Sequence, residues 1–162
     1  MNLVANYKAH TEERLQEGGL PPLALTAEQT AELVEVLKAN TADADYAVDL
    51  FKNKIGPGVD DAAYVKAAFL NDIVQGKVAC SVVSEIDAIK ILGTMMGGFN
   101  VTPLVDALKI DEVAEVAAEQ LKNTILVYDS FNDVKDLMDA GNAYAKSVVE
   151  SWAKAEWFTN KP

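Results

Sequence analysis

SEIDAIKILGTMMGGFNVTPLVDALK, residues 84–109, carries two helical patterns separated by one abrupt break. Ser84 with Asp87 three residues on forms a weak capping box, and Ile86, Ile89 and Leu92 or Gly93 share one face of the helix it opens. That helix is predicted to stop near Met96, where Gly97 and Gly98 can supply the positive φ angles that close a helix. Asn100 then stands ready to cap a second helix, with Val101, Leu104, Val105 and Leu108 at i, i+3, i+4 and i+7. Pro103 falls in its first turn, where a missing N–H costs least. The stretch reads as an αα-hairpin with Gly97 and Gly98 as its structural corner.

Upstream of the hairpin, residues 3–17 read as a helix closed by Gly18 and Gly19, with Leu20-Pro21-Pro22-Leu23 as a stiff connector. Thr26 and Gln29 form a capping box for a helix bearing Leu33, Val34 and Leu37. Tyr46, Leu50 and Phe51 mark a brief third helix, ended by Gly56-Pro57-Gly58. The clearest pattern is DDAAYVKAAFLNDIVQGK, residues 60–77. Asp60 and Asp61 favour its positive end, Val65, Phe69 and Ile73 form an i+4 row beside Leu70 and Val74, and Gly76 with Lys77 closes it. Residues 78–83 have strand-like composition, but with no second strand to pair with they read as a connector.

Downstream, Asp111 is predicted to cap a long helix carrying Val113, Ala117, Leu121 and Ile125. Tyr128-Asp129-Ser130 makes a corner, and Val134, Leu137 and Met138 form a short helix. Gly141 and Asn142 open the last helix, which sets Tyr144, Val148, Trp152 and Ala155 on one face. The expected fold is all-α, a single domain over residues 1–162 with about eight or nine helices and no sheet. Short joints make consecutive helices antiparallel neighbours, and both a closed bundle and an open stack of helix pairs satisfy the pattern.

With 50% apolar residues the chain can build a core, yet its apolar runs fall well short of the roughly 20 residues that cross a bilayer. The first residues mix charge with apolar positions and contain no signal core, which suits the cytoplasm. A net charge of −11, a single arginine at Arg14 and no basic run argue against a duplex-binding surface. The sequence also lacks GxGxxG, Walker and HExxH motifs. His10 beside Thr11, Glu12 and Glu13 reads as part of a solvated helix face rather than a metal ligand. Cys80, the one cysteine, reads as a packing residue, and an iron–sulfur cluster would need about three or four. The acids Asp129, Asp133, Asp136 and Asp139 lack the alternating ligand spacing of a calcium loop and read as a helix surface. Neither a catalytic residue nor a cofactor or metal ligand is assigned within this chain.

Three strings, GPGVDDAAYVKAAFL (56–70), ILGTMMGGFNVTPLVDAL (91–108) and GNAYAKSVVESWAKAEWFTNKP (141–162), together with Tyr7-Lys8-Ala9-His10, resemble the N-terminal domain of the bacterial aconitase B family. The resemblance runs in order from about Tyr7 to Pro162. It implies a HEAT-like superhelical stack of antiparallel helix pairs, excised from the N-terminus of a multidomain enzyme whose linker begins near residue 160. The parent implied is a citrate–isocitrate isomerase of the tricarboxylic acid cycle that also dehydrates 2-methylisocitrate, with a 4Fe-4S cluster held by cysteines far downstream. The domain itself would be non-catalytic, serving contacts with the downstream domains, a homodimer or other proteins. An RNA-binding or regulatory helical module is the alternative. Trp157 turns about 140° round the helix from Trp152 and adjoins Phe158, so this pair is the expected docking surface toward the following domain.

Overall fold

The computed structural model describes residues 2–124 and 128–159, without the side chains at positions 128, 157 and 158. Those residues form helices α1 (Leu3–Gln16), α2 (Ala27–Ala39), α3 (Ala44–Asn53), α4 (Asp61–Val74), α5 (Glu85–Gly93), α6 (Val101–Ala107), α7 (Asp111–Lys122), α8 (Phe131–Asp139), α9 (Ala143–Lys154) and the four-residue α10 (Glu156–Thr159). A 3-10 turn spans Tyr128–Ser130, and no strand occurs among the described residues. Residues 78–83 are a connector, as their lack of a pairing partner required.

Local signals set most of the ends. Thr26 Oγ1 accepts from Gln29 N while Gln29 Oε1 accepts from Thr26 N, and Ser84 with Asp87 repeats the exchange at α5. Hydrogen bonds from Ser84 hold the Asp87 carboxyl below the usual carboxylate range. Asp60 caps α4 through Ala63 N at 2.8 Å, and Asn142 caps α9 through Ala145 N at 2.9 Å. At Gly76, φ is +70°, and the Lys77 N–H reaches back to Asp72 O, the pattern that satisfies orphan carbonyls.

The helices pack in a row, α2 on α4, α4 on α5, α5 on α7 and α7 on α9, with α1 and α3 against α2, α6 against α7 and α8 against α9. Leu33, Leu37, Leu50, Phe51, Leu70, Ile89, Leu92, Leu104, Leu108 and Leu121 are fully buried along this row. The Gln120 side chain of α7 occupies the space that a Cβ at Gly93 of α5 would fill. Trp152 is buried as its position on α9 required, and its indole N–H donates to Leu121 O at 2.9 Å.

Several expectations are corrected by tertiary contacts. Helix α5 ends at Gly93, three residues before Met96. Asn100 is buried and makes no cap bond to α6; its Nδ2 donates to Leu92 O at 2.8 Å and Met95 O at 3.0 Å, closing the helix behind it. Ile86 is exposed, and Ala88, Ile89, Ile91 and Leu92 form the buried face instead. Asp111 is the first residue of α7, not its cap; Ile110 precedes the helix without a side-chain bond, and Asp111 and Glu112 face the positive end of the dipole. The helix stops at Lys122, and Ile125 lies outside the described residues. Ala155 ends α9 in extended backbone rather than extending its apolar face. His10, read as part of a solvated helix face, has a specific partner: its Nε2 accepts from Leu23 N at 3.1 Å, while Tyr7 Oη donates to Leu23 O at 2.5 Å, so α1 grips the proline connector from both sides of one residue.

Lys66 is the main surprise of the core. The i+4 row on α4 runs beside it, yet Val65 is half-buried whereas Lys66 is only 2% exposed. Its Nζ lies 5.5 Å from the Phe51 ring centroid and donates to Lys52 O at 3.3 Å, its hydrogen bond among the described residues. Burial pushes the ammonium down from 10.5 to about 8. Because the folded state releases its proton first, unfolding takes up a proton between those two values, and stability rises as pH climbs from about 8 toward 10.5. Below about 8 the full cost of the buried charge is present. Lys66→Met keeps the volume but forfeits the carbonyl and ring contacts, so it should gain about 1–2 kcal/mol at neutral pH. Urea titrations at neutral pH and at high pH check this: the gain should shrink as pH rises, and a pH-independent difference would refute the charge explanation.

Candidate docking surface

Two loops meet at one end of α4 and α5. Residues 54–60 join α3 to α4, and residues 94–100 join α5 to α6. The Met96 N–H donates to Pro57 O at 2.8 Å, and the Gly97 backbone lies directly against Gly58. A Cβ at Gly97 would overlap the Gly58 carbonyl, so glycine is required there by close approach and not by φ. Gly98 does adopt positive φ, +96°. The corner expected at Gly97 and Gly98 therefore exists, with the two glycines doing different jobs. Asp60, whose carboxylate caps α4, also covers Gly56, and Asn100 ties the far side of the corner to α5.

This contact brings four apolar side chains together at the surface. Val59 follows Gly58 and Met96 precedes Gly97, so the two residues flank the backbone contact between the loops. They are 76% and 68% exposed. Tyr64 on α4 and Phe99 pack edge to face, with ring centroids 5.4 Å apart, and both keep substantial exposure. Residues 55–65 and 91–108 contain no lysine or arginine, and Asp60 and Asp61 directly follow Val59, whereas Asp106 pairs with Lys109 on the side of α6 that faces α8. The result is an apolar patch on a hydrogen-bonded scaffold, bordered by acids. Sequence reasoning named only Met96 of these four, as the end of a helix; the signal available for the others was a large apolar residue beside the glycines of two separate turns.

Other candidates carry less chemistry. A groove of about 410 Å³ between α6 and α8 is lined by Thr102, Asp106, Lys109, Ser130, Asp133 and Asp136. Asp139 of the same acidic run pairs with Lys135, and among the described residues no three His, Cys, Asp or Glu side chains converge to hold a metal. Cys80 is partly buried and its thiol lies 3.7 Å from Leu37 O. One thiol does not fit an iron–sulfur cluster, which takes about three or four, so no step through such a cluster is assigned to these residues. Trp157 and Phe158 lie on α10, but their side chains fall outside the described residues. No described helix is long and apolar enough to cross a membrane.

Residues 6–158 match the family described as the aconitate B N-terminal domain. Aconitate hydratase B of Pseudomonas aeruginosa is 49% identical over 157 residues, covering 96% of this chain and 18% of that protein. The Escherichia coli aconitate hydratase B is 46% identical over 161 residues, 99% of this chain and 18% of the relative. In Synechocystis the corresponding figures are 46% over 159 residues, 96% and 18%. The chain thus spans less than a fifth of the length of these curated relatives. With the match running through all the helices that build the corner, the chain belongs to the aconitate B N-terminal domain family.

Proposed function

We propose that this chain is the N-terminal docking domain of an aconitate-hydrating enzyme of the aconitase B type, contributing contacts rather than catalytic groups. The observation that carries the reading is the exposed patch of Val59, Tyr64, Met96 and Phe99 on a corner fixed by backbone hydrogen bonds. Large apolar side chains held in place at a surface favour a partner that covers them. The parent's iron–sulfur cluster and substrate site belong, in this reading, to the part of the relatives that this chain does not match. Trp157 and Phe158 on α10 belong to the same proposal as a second contact toward that part.

The reading is tested by amide hydrogen exchange on the full-length parent and on the 162-residue chain, whose own core supports it as a folding unit. The amides of residues 96–99 should exchange roughly tenfold more slowly in the full-length protein. Val59→Ser with Met96→Ser, both at exposed positions, should erase that difference while changing the chain's own stability by less than about 0.5 kcal/mol. Equal exchange in the two wild-type proteins would overturn the proposal.

A further inference from the structure

We infer that the element covering the corner is a basic one: an apolar anchor flanked by lysine or arginine, presented by the remainder of the parent chain. This rests on the docking reading above and adds the chemistry of the partner. Beside the patch, Asp60 and Asp61 directly follow Val59, and residues 55–65 and 91–108 contain no lysine or arginine, on a chain whose net charge is −11. Asp60 is held in place by its bond to Ala63 N, and Asp61 is exposed in the first turn of α4. An apolar partner with an acidic or neutral border would leave these carboxylates facing like charge or desolvated without compensation, whereas Lys or Arg meets them with charge-assisted hydrogen bonds.

Charge and size together select the occupant. A second copy of this chain would bring two −11 molecules together with acidic borders apposed, which disfavours self-pairing at this face. Four residues also fall far below the roughly 20–30 a side that a free-standing complex uses. A covalently tethered partner needs less surface, because the tether supplies an effective concentration of about millimolar. The relatives are more than five times as long as the matched region, so the tethered occupant has ample chain to come from.

The test is the same exchange measurement on the full-length protein, with the charges changed alone. Asp60→Asn with Asp61→Asn keeps a good capping residue at position 60 and removes both charges. Protection of residues 96–99 should fall about three- to tenfold in this variant, and about 0.5 M NaCl should do the same to the wild type. Loss of protection in Val59→Ser/Met96→Ser, with none from charge removal or salt, would leave docking standing and overturn the basic partner. No effect from any of the three would overturn both. Protection that appears in the isolated chain on raising its concentration to about 100 μM would identify a second copy as the occupant and likewise refute the inference.

Discussion

Phe69→Ala is expected to destabilise the chain by about 3–5 kcal/mol, the range for truncating a buried phenylalanine. Phe69 is 5% exposed on α4, the helix that packs on both α2 and α5, so the space left behind is bounded by two neighbours that cannot both collapse into it. Its ring meets Phe51 edge to face at 5.7 Å and 87°, an arrangement lost with the ring. Lys38 Nζ sits 5.9 Å from the ring centroid and loses a weak contact as well. For a chain of this size the loss corresponds to a fall of roughly 6–20 °C in Tm. Urea or thermal denaturation measures it, and a loss below about 1 kcal/mol would contradict the buried position of this face.

Gly97→Ala should cost about 3 kcal/mol, more than Gly98→Ala at about 1–2 kcal/mol, although only Gly98 has positive φ. The reason is steric contact between two backbones. A methyl group at Gly97 overlaps the Gly58 carbonyl, and the loop cannot withdraw without breaking the Met96 N–H bond to Pro57 O. At Gly98 no atom lies within contact distance of an added Cβ, so only the conformational cost applies. Valine at Gly97 should be at least as costly as alanine. Stability curves of the two alanine variants check the order, and a Gly97→Ala protein within about 0.5 kcal/mol of wild type would show that the two loops separate freely. Because Met96 and Val59 flank the same contact, Gly97→Ala should also disturb the docking patch, whereas Gly98→Ala should disturb it less.

Much of the fold was legible because helix boundaries are written locally. Thr26 with Gln29, Ser84 with Asp87, Asp60 ahead of Ala63 and Gly76 after Val74 each satisfy backbone groups within a few residues of themselves, and the structure uses all of them. The apolar rows of α4, α6 and α9 were likewise readable, since a 3.6-residue period needs no knowledge of the neighbour that covers it. The candidate surface was legible only in part. Gly97 and Gly98 marked the corner correctly, but nothing in either turn by itself shows that residues 57–58 and 96–97 touch.

The sequence by itself determined an all-α chain, many of the places where its helices begin, and, through its strings, its family. What only the tertiary structure decided are the features in which one group serves a distant one. Asn100 looked like the cap of the helix after it and closes the helix before it, because Leu92 and Met95 carbonyls are left open there. Lys66, outside the apolar row read on α4, is buried, because the α3 carbonyl of Lys52 and the Phe51 ring receive it. His10 looked solvated and accepts the Leu23 N–H. Val59 and Met96, 37 positions apart (96 − 59), come to flank one glycine-to-glycine contact. Hydrogen-bond capacity and side-chain size belong to a residue and are read from its letter, whereas the partner that uses them is chosen by how the helices stack.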